Sequence, residues 1–190
     1  MLESRAGAVK RARTTNQFRR VEPAMKDQLR EPWRLQYIAA PPPTAEAGVC
    51  FICRGLAEQD DRRNGIVLRT AESAVLLNRF PYNNGHLLIA PLAHKPGFSE
   101  LTDPERLDCQ RLIERMIDRL TAVLHPDGFN IGVNLGRVAG AGLPGHLHWH
   151  VVPRWNGDTN FMPVLADTKV ISQSLESLYD LLVATVNQTR

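Results

Sequence analysis

Three histidines alternate with apolar residues in one short stretch, and this stretch limits the possible fold and chemistry more than any other. Residues 146–152 read His-Leu-His-Trp-His-Val-Val. Valine and tryptophan favour β-strands, and successive side chains of a strand point to opposite faces. We therefore predict a strand in which His146, His148 and His150 line one face, while the residues between them face a core.

Four kinds of site are compatible with three imidazoles on one strand face. A plain buried strand would need a polar partner for every imidazole, and ligands in line along one strand do not converge easily on a tetrahedral zinc ion. A pH-sensing cluster is a third interpretation. Nucleophilic catalysis fits best, because a neutral imidazole can attack phosphorus while a second histidine orients it or protonates the leaving group.

A second alternating segment is a candidate partner for the histidine strand. Residues 129–135 read Phe-Asn-Ile-Gly-Val-Asn-Leu, and their polar side carries Asn130, Gly132 and Asn134. A glycine-rich loop at 136–145 joins the two segments. If the strands pair, their polar faces form one floor of amides and imidazoles, which suits a phosphate-bearing ligand.

The remaining pattern predicts an α+β domain. Strands are expected at 66–70, 73–78, 86–90 and 129–135, and amphipathic helices at 102–124 and 172–188. The short connections between the first three strands favour an antiparallel meander. Thr102 and Glu105 have the spacing of a capping box at the start of the first helix. Cys109 lies on its apolar stripe and is expected to be a core residue, and His125 follows it at the surface.

The whole chain has a net charge of +3, and its first 47 residues differ in character from the rest. Six basic residues precede position 21 without hydrophobic periodicity, which predicts a flexible basic extension. Three prolines at 41–43 stiffen the connector, and the folded domain is expected to begin near residue 48. The extension is either a solvated segment or a contact for nucleic acid or another polyanion.

Composition also bears on location and on the cysteines. No apolar run approaches the roughly 18 residues that span a bilayer, and no apolar stretch follows the N-terminal charges as a secretory signal requires. We therefore expect a cytoplasmic protein without a membrane partner, whose cysteines are reduced. Cys50 and Cys53 form a C-x-x-C pair, which indicates metal binding or redox chemistry before a structural disulfide.

The histidine pattern, followed by Val-Val, resembles the signature of the histidine triad (HIT) superfamily of nucleotide hydrolases and transferases. Residues 78–81 and 85–91, Asn-Arg-Phe-Pro and Gly-His-Leu-Leu-Ile-Ala-Pro, resemble nucleoside-binding strands of the Fhit-like branch. Residues 128–135 and 153–155 resemble the bacterial diadenosine tetraphosphate phosphorylase-like members. The similarity extends over about residues 49–170.

The resemblance implies a HIT-like α+β fold over residues 48–190, with an antiparallel sheet of about five strands, two main helices and a homodimeric assembly. It implies action on dinucleoside polyphosphates, such as diadenosine tetraphosphate (Ap4A), or on nucleoside phosphate conjugates. His148 would form a nucleotidyl-histidine intermediate, and His150 would contact the phosphate and assist proton transfer. Asn78 and His86 match positions that hold the ribose and structure the site, and Asn134 matches a polar residue that faces the nucleotide.

One departure from the family pattern precedes the triad. Many members carry a glutamine or serine that binds phosphate or relays a proton, where this chain has Gly-Ala-Gly-Leu-Pro-Gly at 140–145. Backbone amides around Gly142 can bind phosphate instead. Water as acceptor makes a hydrolase, and inorganic phosphate makes a phosphorylase. A nucleotide-binding module with vestigial catalysis and an enzyme that processes adenylylated nucleic acid ends are the alternatives.

The resemblance also supplies partners for the cysteine pair. Several bacterial members bind zinc with such a pair, a histidine after the third strand and the first triad histidine. The matching residues here are Cys50, Cys53, His94 and His146. A Cys₂His₂ zinc site of this kind would be closed and structural, and would tie the start of the domain to the histidine strand.

Overall fold

One antiparallel sheet of five strands organises the residues that the computed structural model describes, which are 50–158 and 171–187. The strands are β1 (Ile66–Arg69), β2 (Ser73–Leu77), β3 (Leu87–Pro91), β4 (Gly128–Val133) and β5 (Trp149–Arg154), in the spatial order β1-β2-β3-β5-β4. The helices are α1 (Phe51–Ala57), α2 (Asp61–Asn64), α3 (Asp103–Leu124) and α4 (Leu175–Asn187), with 3₁₀ turns at Phe98–Glu100 and Arg137–Ala139. The expected α+β class, five-stranded sheet and two main helices are confirmed.

The predicted N-terminal extension lies outside the described residues, so the basic segment and its connector stay predictions. Among the helices that the structure does describe, none combines the length and apolar character needed to cross a membrane. The cytoplasmic location stays a prediction.

The two long helices cover one face of the sheet. Val75, Ile89 and Val151 lie on this face and belong to one buried cluster with residues of α3 and α4. Cys109 is fully buried in that cluster, as its place on the apolar stripe predicted. Burial of this face anchors the strands, so groups on the opposite face rest on a rigid support.

The opposite face presents a row of facing residues across four strands. Leu76 of β2 faces Leu88 of β3, Leu88 faces His150 of β5, and His150 faces Gly132 of β4. The predicted pairing of the 129–135 segment with the histidine strand is therefore confirmed. His150 lies on the sheet face that the helices leave uncovered.

Helix α3 begins and ends as its sequence predicts. The Thr102 side chain accepts from the backbone N–H of Glu105, and the Glu105 side chain accepts from the backbone N–H of Thr102, so the capping box is formed. The helix ends at His125, which is exposed and has a φ of 48°.

A glycine is required where the chain enters β3. Gly85 has a φ of 77°, and a Cβ there would lie 2.8 Å from the Leu124 side chain and 3.0 Å from Pro153. A side chain at this position would therefore clash with α3 and β5. The close approach fixes where His86 emerges at the start of β3.

The prediction of one strand over all three histidines is wrong, because β5 begins at Trp149. Trp149 is the first residue of β5 that pairs with its neighbours, with Ile89 of β3 on one side and Val133 of β4 on the other. Before it, the backbone N–H of Leu147 donates to the carbonyl of Lys95 instead, at 2.6 Å. His146 and His148 therefore precede the sheet and do not form a row with His150.

Two short helices were also absent from the expected pattern. Residues 51–57 and 61–64, for which the sequence pattern predicts no helix, form α1 and α2. The Cys50 side chain accepts from the backbone N–H of Cys53 and so caps α1. A thiol is not among the usual capping groups, which is why the pattern gave no helix signal.

Candidate active site and metal centre

His148 is held by the backbone of the first triad histidine. Its Nδ1 lies 2.8 Å from the carbonyl oxygen of His146. A carbonyl can only accept, so the proton of the His148 ring is on Nδ1 and the lone pair is on Nε2. Burial lowers the pKa of His148, which keeps this ring neutral. The geometry gives His148 an unprotonated, oriented nitrogen.

His150 is connected to His86, which lies just before β3. The backbone N–H of Tyr82 donates to His86 Nδ1 at 2.9 Å, so a neutral His86 carries its proton on Nε2. His86 Nε2 lies 3.0 Å from His150 Nδ1 and donates to it. This sequence of bonds places the proton of His150 on its Nε2.

Burial is the main cause of the low basicity of His150. Burial, together with a smaller contribution from repulsion by His148, lowers the pKa of His150 to about 4. The two ring centroids are 5.1 Å apart, so two imidazolium ions would repel strongly. His150 is therefore a neutral hydrogen-bond donor at pH 7, beside the His148 imidazole, whose Nε2 carries no proton.

Two asparagines border the histidines. The Asn134 amide nitrogen lies 3.4 Å from His150 Nε2 and 3.5 Å from the carbonyl of Gly140. The Asn78 amide nitrogen lies 3.2 and 3.3 Å from the two ring nitrogens of His86. The predicted site residues Asn78, His86, Asn134, His148 and His150 thus lie together. Gly142 is exposed in the loop before the triad, and no hydrogen bond among the described residues joins it to the histidines.

Four other predicted residues form a separate cluster. The ligand atoms of Cys50, Cys53, His94 and His146 all lie within 4.8 Å of one another. Cys50 Sγ is 3.3 Å from His146 Nδ1, and Cys53 Sγ is 3.2 Å from His94 Nδ1. Ligands about 2.0–2.3 Å from a tetrahedral zinc ion lie about 3.3–3.8 Å apart. The spacing fits such an ion.

The tautomer of His146 also fits a metal ligand. Its Nε2 lies 2.9 Å from the carbonyl oxygen of Pro91, so Nε2 carries the proton. The lone pair of Nδ1 then points toward the cysteines, and a carbonyl partner of this kind orients metal-bound histidines. Burial lowers the pKa of His146, which favours the neutral form that binds metal.

Two features of the site lay beyond the sequence reasoning. The Tyr82 ring lies nearly parallel to that of His150, at 15° and 5.7 Å between centroids. Lys95, next to His94, forms an ion pair of 2.6 Å with the buried Glu105 of α3 and so fixes the loop that holds His94. An aromatic residue between the predicted site residues Asn78 and His86 was the available signal for Tyr82. The sequence contains no signal for the role of Lys95, because only tertiary packing brings it to its partner Glu105.

Comparisons with known proteins agree with this geometry. A family model described as HIT domain matches residues 59–157. The AP-4-A phosphorylase of Mycobacterium tuberculosis is 36% identical over 164 residues, which cover 83% of this chain and 84% of that protein.

Two solved structures show the same fold. A zinc-bound histidine triad family protein from Mycobacterium smegmatis superposes with a TM-score of 0.58 at 24% identity, covering 73% of this chain and 94% of that one. The diadenosine triphosphate hydrolase of Plasmodium falciparum superposes with a TM-score of 0.57 at 21% identity, covering 84% of this chain and 97% of that one.

Proposed function

The chain belongs to the HIT domain family, and on that premise we propose that it transfers nucleotidyl groups from dinucleoside polyphosphates through a covalent bond to His148. The observation that carries the proposal is the 2.8 Å contact between His148 Nδ1 and the carbonyl of His146. It fixes the tautomer in which Nε2 is free to attack. A histidine that only bound phosphate would donate a proton and would need no such orientation.

The first step follows from the two tautomers. His148 Nε2 attacks the α-phosphorus, so that a P–N bond forms while the P–O bond to the leaving polyphosphate breaks. The electron pair goes to the leaving oxygen, which departs as an anion. His150 donates a hydrogen bond from Nε2 to that oxygen as charge develops there. An acceptor oxygen then attacks phosphorus, and the P–N electron pair returns to His148.

Inorganic phosphate is the acceptor that we propose. The support is the M. tuberculosis relative, which is named as an AP-4-A phosphorylase and matches over most of both chains. The Gly-Ala-Gly-Leu-Pro-Gly loop at 140–145 offers backbone amides near Asn134 for a second phosphate. The pre-triad departure therefore fits phosphorolysis by this chain.

Product analysis tests the reaction. With Ap4A and inorganic phosphate we expect ADP and ATP, and without phosphate we expect no turnover. AMP and ATP formed at equal rates with and without phosphate would show a hydrolase instead. No product under either condition, together with nucleotide binding, would show a binding module with vestigial catalysis.

We also propose that Cys50, Cys53, His94 and His146 bind a structural zinc ion. The support is the donor set, the spacing of the four ligand atoms and the tautomer of His146. Zinc bound there would fix His146, whose carbonyl orients His148. The metal would thus act on the reaction through the position of the backbone, because a Cys₂His₂ site leaves no open coordination position.

A homodimer through β4 is the assembly that we propose. Within the described residues β4 pairs only with β5, so its other edge lacks a strand partner. Ile131 and Leu135, in and just after β4, are 46% and 48% exposed. Edge strands pair readily with other chains, and antiparallel pairing with β4 of a second copy would cover these side chains.

A further inference from the structure

The loop between β2 and β3, residues 78–86, carries two exposed aromatic side chains as well as the site residues Asn78 and His86. Phe80 is 79% exposed and Tyr82 is 41% exposed. Burial of an aromatic ring is favourable in free energy, and a ring exposed to water lacks this stabilisation. Exposed aromatic rings at the edge of a polar site are therefore candidates for ligand contact.

Hydrogen bonds hold the backbone of this loop. The Phe80 N–H donates to the Asn78 side-chain oxygen at 2.9 Å, and the Tyr82 N–H donates to His86 at 2.9 Å. The Asn83 side chain donates to a backbone carbonyl of β5 at 3.1 Å. The two rings are presented on a fixed backbone, which reduces the entropic cost of binding a ligand to them.

Tyr82 places this aromatic pair on the leaving-group side of the reaction. Its ring stacks on His150 and lies 4.6 Å from that of His86, centroid to centroid. In the proposed reaction His150 faces the leaving oxygen. The group attached beyond that oxygen therefore lies near Tyr82, and Phe80 is two residues away on the same loop.

We propose that Phe80 and Tyr82 bind the base of the leaving nucleotide by stacking, so that the protein selects substrates that carry a second nucleoside. This inference rests on the proposed function, because the leaving group has a base only if the substrate is a dinucleoside polyphosphate. Stacking on an aromatic ring tolerates every base. The pair therefore recognises the presence of a second base and accepts different bases there.

Two substrates that differ only in the second nucleoside test the proposal. Ap4A and adenosine 5′-tetraphosphate share the attacked α-phosphate and the four-phosphate chain. We expect the full chain to favour Ap4A in kcat/KM by about tenfold, the size of one stacking contact. In Phe80→Ala the ratio of the two kcat/KM values should fall to about one third or less of its wild-type value.

A matched variant controls for general loss of an exposed ring. Phe98 is 42% exposed and packs edge-on against Trp149, which points to the opposite face of the sheet from His150. Phe98→Ala should leave the substrate ratio unchanged. Tyr82→Leu, which removes the second ring, should lower the ratio as Phe80→Ala does. An unchanged ratio in Phe80→Ala and Tyr82→Leu, or equal losses on both substrates, would overturn the proposal.

Binding without turnover separates this proposal from the reaction itself. In the His148→Ala background, the Kd ratio of adenosine 5′-tetraphosphate to Ap4A should again be about ten, and Phe80→Ala should reduce it toward one. If no substrate is turned over but this binding ratio holds, the proposed function fails and the stacking site stands. If turnover occurs and the ratio is one, the stacking site fails alone.

Discussion

His86 Nε2 lies 3.0 Å from His150 Nδ1, and this bond fixes which nitrogen of His150 faces the leaving group. His86 is buried, and its second nitrogen accepts from the backbone N–H of Tyr82. The backbone N–H of Tyr82 therefore orients His86, and His86 in turn orients His150. The proposed role of His150 therefore depends on His86, a residue outside the histidine motif.

Removing His86 is expected to reduce kcat more than it changes KM. His86→Leu removes both hydrogen bonds and should lower kcat by about 10- to 100-fold, within the range of acid–base contributions. His86→Gln, whose amide can both donate and accept, should recover part of the loss. The exposed His125→Gln serves as control for steady-state kinetics. Wild-type kcat in His86→Leu would contradict the role.

Metal analysis of the purified protein tests the Cys₂His₂ cluster. We expect about one equivalent of zinc per chain, and Cys50→Ser should lower zinc content and the free energy of unfolding by several kcal/mol. Cys109→Ala, which removes a cysteine in the helix-covered core, should retain the metal. Less than about one tenth of an equivalent in the wild-type protein, with Cys50→Ser as stable as wild type, would rule out a structural zinc.

The low pKa of His150 predicts a pH dependence of stability. Its pKa is about 4 in the folded chain and about 6.5 when unfolded, so the unfolded state binds more protons between these values. The free energy of unfolding should therefore increase with pH across that window, by about 2–3 kcal/mol from this residue. Chemical denaturation at several pH values measures it.

A paired variant identifies the source of that slope. His150→Gln should make the curve flatter between pH 4 and 6.5, while His146 and His148, whose pKa values are also lowered by burial, retain part of it. Equal slopes in wild type and His150→Gln would show that His150 is not buried as a neutral ring.

Light scattering with size-exclusion chromatography tests the β4 interface. The wild-type protein should elute as two copies, and Ile131→Asp should give single chains, because a carboxylate at a paired apolar edge is costly to bury. Leu107→Asp, on exposed α3 surface, should remain dimeric. A single-chain wild type, or a dimer that tolerates Ile131→Asp, would contradict pairing through β4.

Much of the sheet could be predicted because its pattern is local. The segment that forms β4 alternates apolar and polar residues with the period of two of a strand, and β2 and β3 are short apolar runs. The capping box at Thr102 marks the helix start independently of tertiary contacts. The pairing of β4 with β5 also follows from a matching polar face on each strand. These signals involve residues that are close in sequence, so they can be recognised without knowledge of the fold.

What the pattern could not predict depends on distant contacts. The pairing of β5 with β3 and β4 begins at Trp149, and the backbone N–H of Leu147 before it donates to the carbonyl of Lys95. The ion pair of Lys95 with Glu105 joins the loop after β3 to the first turn of α3, and only packing decides that these two segments meet. Tyr82 gains its place beside His150 from the same kind of contact. Alternation alone therefore predicts three equivalent histidines. The structure instead places His146 in a cluster with the cysteines and His148 beside His150.

The His148→Ala variant tests the central claim most directly. Product formation from Ap4A should be abolished, while nucleotide Kd stays within about tenfold of wild type, or about 1.4 kcal/mol, because the rest of the site is retained. Quenching the wild-type protein with labelled Ap4A in denaturant at alkaline pH, where a histidine P–N bond is stable, should trap label on the protein, and His148→Ala should trap none. Turnover by His148→Ala at the wild-type rate would contradict a covalent role for this histidine.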